Sequence, residues 1–171
     1  MPSLKTQEQS WVIREVLPNE LNFIYSTWLN SFRYDSFLGK CCTNSIFFSE
    51  YSAVIDHVLS KPTTKISIAH FNETPDVILS YMVHEPSILH YMFTKEIYRN
   101  NKIAKSLFEA AFKIHEHNLV NYSAPILFTH RTFTAEPFIE KYKASLVYNP
   151  FKLYERLSSI SKKQTILEKL V

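Results

Sequence analysis

Two groups of residues in this sequence are of types that carry chemistry. The first lies in "YRNNKIAKSLFEAAF", residues 98 to 112, where Arg99, Asn100, Asn101, Lys102 and Lys105 crowd the start of a helix with an apolar stripe. Cations there oppose the partial positive charge that a helix N-terminus already carries. An anion seated on the helix end, held by unpaired backbone N–H groups and by the lysines, gives the arrangement a purpose. A solvated cationic surface is the plainer alternative. The second group is His84, Glu85 and His90, on two consecutive strand-like runs. A histidine transfers protons near neutral pH, and a nearby carboxylate does so through a water. His90 also reads as a hydrogen-bonded core histidine.

The elements that must position these residues follow from periodicity. "WVIREV" (11–16) is a short β-branched run and reads as a first strand. Pro18 opens a helix whose face is Leu21, Ile24, Tyr25, Trp28, Leu29 and Phe32. "RYDSFLGKCCTNS" (33–45) has no period and reads as a loop, and "FFSEYSAVIDHVLSK" (47–61) returns to helical spacing and stops before Pro62. Strands are expected at 65–71, 76–85 and 88–95, with turns short enough to make them antiparallel neighbours. The helix of the opening stretch runs from 101 to about 117, with Ile103, Leu107, Ala110, Ala111 and Ile114 inward. Its length suits a crossover to a parallel strand, "PILFTH" (125–130). A short helix (135–143) and closing strands in "ASLVYN" and "FKLYERL" complete an α/β (α+β) domain, a mixed and mostly antiparallel sheet flanked by helices.

Composition narrows the class. The 171 residues suit one domain, with residues 1–10 as a flexible N-terminus and 157–171 as a C-terminal extension. Gly39 is the only glycine, so any glycine-based motif must stand in altered form. A net charge of +3 without a dense basic stripe disfavours nucleic acid as the principal partner. The only cysteines, Cys41 and Cys42, are adjacent and offer neither a disulfide partner nor zinc spacing. A reducing, cytoplasmic setting is expected, with no metal. No signal-peptide core and no membrane-length apolar run is present in the sequence.

The element order and the stretch Arg99-Asn100-Asn101-Lys102-Ile103-Ala104 resemble the GNAT superfamily of acyl-CoA-dependent N-acyltransferases. The family motif is Arg/Gln-x-x-Gly-x-Gly/Ala at the start of the helix after the fourth strand; its first and last positions match, and Lys102 replaces the middle glycine. The resemblance covers about residues 11–156. It implies acetyl-CoA as cofactor, its pyrophosphate on residues 99 to 105, its pantetheine arm along Met92, Phe93 and Thr94, and Thr132 near an orienting position after the fifth strand. The amine-bearing acceptor, small molecule or protein, is not named by it.

The resemblance also bears on the proton transfers. The place of His90, four residues before Thr94, is similar to that of a histidine in arylalkylamine N-acetyltransferases; His84 and Glu85 are its rivals. The family's tyrosine acid falls at Ile139, and Tyr142 lies nearly one turn on, as a candidate acid or a packing residue. His130 either lines the substrate side or is exposed, and Tyr34, Phe37, Arg131 and Phe133 suggest an aromatic acceptor site. The expected function is acetyl transfer from acetyl-CoA to a primary amine by a monomer or homodimer without membrane attachment. The alternatives are a nucleic-acid-modifying protein of phage type and a non-catalytic binding protein with this fold.

Overall fold

A computed structural model describes residues 10–113 and 124–154. The chain opens with β1 (Trp11–Glu15) and a 3-10 turn started by Pro18, and then forms α1 (Leu21–Asp35). Ile24, Trp28 and Phe32, spaced by four, are the buried stripe of α1. The segment expected as a loop is largely helical, which corrects that expectation: α1 continues to Asp35, α2 spans Phe37–Cys41, and α3 spans Asn44–Ser60. Side-chain caps explain the breaks, since Gly39 N–H donates to Ser36 Oγ and Ile46 N–H donates to Thr43 Oγ1. Helices this short show no apolar period.

The remaining elements are β2 (Lys65–Phe71), β3 (Thr74–Glu85), β4 (Ile88–Thr94), α4 (Ile103–Phe112), β5 (Ile126–Phe128), α5 (Glu136–Lys141) and β6 (Leu146–Tyr148). They form one six-stranded sheet in sequence order. The first three pairings are antiparallel, and β4–β5 and β5–β6 are parallel, with α4 and α5 in the crossovers. The second closing strand does not form: Pro150–Tyr154 is a 3-10 turn, as the proline's fixed φ favours, and residues 155–157 lie outside the described residues. Ile114 and the expected last turn of α4 lie outside them too, as do residues 1–9 and 157–171.

The sheet divides two apolar layers. Helices α1 and α3 pack Trp28, Phe32, Phe47, Tyr51 and Ile55 against Ile68, Tyr81, Val83 and Tyr91 on one face. On the other, α4 buries Ile103, Leu107 and Phe108 with Leu79, Met82, Leu89 and Phe128.

Two irregularities of β4 set the geometry around it. Tyr91 pairs with Val83 and Leu89 with His84, so His90 is an extra residue with no partner across the β3–β4 ladder. Such a bulge re-aims side chains. Accordingly, Leu89 and Met92 lie in the same apolar layer, although strict alternation would separate them. The bulge therefore breaks, at His90, the two-residue alternation that a regular β4 would have. Second, β5 pairs with β4 only at Ile88 and Leu89 and then leaves. From Tyr91 to Thr94 that side of β4 is unpaired by β5.

Candidate active site

The start of α4 has the backbone geometry that an anion seat requires. Asn100 and Lys102 have positive φ, 67° and 61°, and Lys102 is the residue immediately before the helix. The left-handed geometry at Lys102 is what the family's glycine supplies without strain; for a lysine it costs about 1–2 kcal/mol. No side chain caps α4, and the first intrahelical bond runs from Ser106 N–H to Lys102 C=O. The backbone donors of Ile103 and Ala104, which head the helix, have no intrahelical acceptor. Arg99 Nε donates to Thr94 C=O at 3.3 Å, which ties the arginine to the end of β4.

A groove of about 680 Å³ runs from this seat along the unpaired part of β4. Met92, Phe93, Thr94, Arg99, Asn100, Lys102, Ile103, Ala104, Lys105 and Thr132 all line it, so ten of the eleven expected cofactor residues converge; Asn101 is not among them. Tyr98, Phe138 and Lys141 line it as well, and only their place in the fold discloses them. Tyr142 does not reach the groove. It is buried between Phe108 and Phe138, with ring centroids at 5.0 and 4.7 Å, and its hydroxyl has no hydrogen-bond partner among the described residues. Here Tyr142 is a packing residue, because α5 turns that face into the α4 layer.

A second cavity, of about 610 Å³, is lined by Phe32, Tyr51, Leu153 and the expected Phe37, Arg131 and Phe133. Tyr34 lines the first groove instead. The two cavities share a single lining residue, Thr132, whose Oγ1 accepts from Ala135 N–H. Asp35, at the end of α1, fixes this wall: its C=O accepts from Phe133 N–H and its carboxylate from Thr134 N–H. In the second cavity Arg131 and Glu136 neutralise each other, with Nε to Oε1 at 2.5 Å.

The titratable residues form a chain rather than rivals. Glu85 Oε1 is 2.8 Å from His90 Nε2, His90 Nδ1 is 3.1 Å from Thr129 Oγ1, and Thr129 Oγ1 is 2.8 Å from His130 Nδ1. Burial alone would raise Glu85, but hydrogen bonds from Thr63, His90 and Lys61 outweigh it and hold the carboxyl at about 2. Burial lowers His90 despite the adjacent carboxylate. It pushes His130 down to about 3. His84 is apart from the chain, hydrogen-bonded with Ser67 at 3.2 Å and stacked edge-on near Phe112. His130 is therefore not exposed: it is 8% accessible, within the wall of the second cavity. Its burial under α1 and α3 has no local signal, since Phe32 and Tyr51 are far away in sequence.

No family model and no curated protein sequence matches the chain. Solved structures do. An acetyl transferase by assignment from Pyrococcus furiosus matches at a TM-score of 0.54 and 13% identity, over 79% of this chain and 91% of that one. The aminoglycoside N-acetyltransferase AAC(6')-Iy in complex with CoA matches at a TM-score of 0.49 and 12% identity, over 82% and 90%. The mixed sheet, its order and its flanking helices are the GNAT acetyltransferase fold.

Proposed function

We propose that this protein transfers an acetyl group from acetyl-CoA to a primary amine. The observation that carries the reading is the uncapped start of α4 at the end of a long groove beside the unpaired part of β4. An extended pantetheine arm needs unpaired strand backbone, and a pyrophosphate needs clustered N–H donors and positive charge. Both needs meet in one groove. In the reaction the amine nitrogen bonds to the thioester carbonyl carbon, the C–S bond breaks, and coenzyme A leaves as its thiol. The residues of this chain bind and orient the thioester and take up the proton that the amine loses.

Titration calorimetry with acetyl-CoA and with free coenzyme A tests the reading. Binding of both, followed by thiol release on adding a panel of amines, is the expected result. Absence of coenzyme A binding overturns it. Binding without release for any amine, tRNA or DNA acceptor favours a non-catalytic role.

A further inference from the structure

We propose that His130 is the base that takes the proton from the acceptor amine, that Thr129 and His90 pass it on to Glu85, and that the acceptor is an apolar primary amine held in the second cavity. The inference rests on the acetyl-transfer reading above.

The direction of the chain follows from hydrogen counting. Glu85 is ionised near neutrality and only accepts, so His90 carries its hydrogen on Nε2. Neutral His90 is then bare at Nδ1 and accepts from the Thr129 hydroxyl. Thr129 Oγ1 is also 3.4 Å from the His90 carbonyl. Donation there would set a bare nitrogen against a bare oxygen, so the 3.1 Å bond prevails. Having given its one hydrogen, Thr129 accepts from His130 Nδ1–H. His130 Nε2 is left as a lone pair, buried and without a hydrogen-bond partner among the described residues. A buried acceptor left bare is rare and calls for a ligand.

That ligand is a donor entering from the cavity whose wall His130 forms. Phe32, Tyr51, Phe133 and Leu153 make the cavity apolar, and its Arg131–Glu136 pair is internally neutralised. Tyr51 Oη lies toward the Trp28 indole N–H, its ring 5.7 Å from that of His130, and can also accept from an amine head. A single amine head on an apolar body satisfies both atoms. Thr132, in the common wall, brings this cavity against the groove.

The chain solves a problem that burial creates. His130 is surrounded edge-on by Trp28, Phe32, Tyr51 and Tyr91, where a lasting imidazolium is disfavoured. As Nε2 takes a proton from the ammonium, the Nδ1 hydrogen moves to Thr129, the hydroxyl hydrogen to His90 Nδ1, and the Nε2 hydrogen of His90 to Glu85. Every internal group stays neutral, and the proton passes out to solvent through the partly exposed Glu85 carboxylate, which the bonds from Lys61 and Thr63 return to its ionised form. The freed amine attacks the thioester, and its second proton leaves with the thiolate as coenzyme A thiol. The other charged or titratable groups near the chain are His84, which is turned to Ser67 and Phe112 and acts on His90 only through its charge, and Tyr91, whose hydroxyl is 2.7 Å from Ser31 Oγ.

Long-range ¹H–¹⁵N spectra of the histidine-labelled full chain test the wiring without turnover, with His90→Gln and His130→Gln for assignment. The expected result at pH 7 is neutral His90 with Nε2–H and neutral His130 with Nδ1–H. A His130 that carries Nε2–H, or titrates near its ordinary value, overturns the proposal. Turnover with acetyl-CoA and 2-phenylethylamine or hexylamine tests the rest. His130→Gln should lower kcat about 100-fold or more with acetyl-CoA affinity intact. Thr129→Val should lower kcat and move the acidic limb of the rate–pH profile, and Thr129→Ser should restore both. Normal turnover in Thr129→Val, or acetylation of spermidine in preference to the apolar amines, overturns the proposal. Failure of acetyl-CoA to bind despite the expected tautomers overturns the acetyl-transfer reading itself.

Discussion

Glu85 Oε1 lies 2.8 Å from His90 Nε2, joining the last residue of β3 to the bulged residue of β4. The bond makes a partly exposed carboxylate the outer end of a buried histidine chain, and it gives acid stability a defined sign. Burial lowers His84, His90 and His130, so in acid the unfolded chain binds protons that the folded chain refuses. Stability should fall as pH drops below about 6.5, by up to about 1.4 kcal/mol per pH unit for each histidine. The stability from Glu85 is complete above its unfolded value near 4.5 and is lost as pH falls toward about 2. Melting temperatures between pH 7.5 and 4 check this. His130→Gln should give a shallower slope; an unchanged slope refutes a buried neutral His130.

Lys102 makes two opposing contributions that substitution separates. Its φ of 61° strains any side chain with a Cβ, and its ammonium adds charge to the anion seat. Lys102→Ala keeps the strain and removes the charge, so coenzyme A affinity should drop, most at low salt. Lys102→Gly removes both. The glycine variant should be more stable than the alanine variant by about 1 kcal/mol, the relief of strain less the added entropy of the unfolded chain. Equal denaturation midpoints for the two variants would remove the strain argument.

Ala104 sits on the first turn of α4, where its backbone borders the groove. Ala104→Glu introduces bulk and negative charge at the anion seat and should abolish acetyl-CoA binding in calorimetry without a change in melting temperature. Arg99→Ala should weaken binding roughly tenfold, the loss of one charge-assisted hydrogen bond. Parental affinity in Ala104→Glu would displace the cofactor from this groove.

Gly39 is required for space, not for φ. A Cβ there would lie well inside contact distance of the Arg33 carbonyl, while Arg33 Nη1 hydrogen-bonds back to the Gly39 carbonyl. Gly39→Ala should destabilise by about 1–3 kcal/mol in denaturant unfolding, as overpacking does. A smaller loss would show that α2 shifts freely against α1.

The sequence made the sheet legible because its strands alternate with helices of clear period, and α4 was legible from the apolar stripe that follows its cationic start. Ile24, Trp28 and Phe32 announced their helix; Phe37–Cys41 did not, being too short to show a period. The bulge at His90 was invisible, since one inserted residue changes facing without changing composition. His130 was equally hidden: a histidine closing the run "PILFTH" reads as lining a site or as exposed, and its burial is the work of α1 and α3. Tyr142 illustrates the opposite error, an apt residue type turned inward by the pitch of a short helix.

Thr132 alone lines both the groove and the second cavity. Two compartments that meet at a single residue can fill independently, and neither ligand has to depart before the other arrives. For the proposed reaction this means a ternary complex. Double-reciprocal plots at varied concentrations of both substrates should intersect, where parallel lines would signal an acylated-protein intermediate, and a conjugate joining coenzyme A to an apolar amine should inhibit competitively against each.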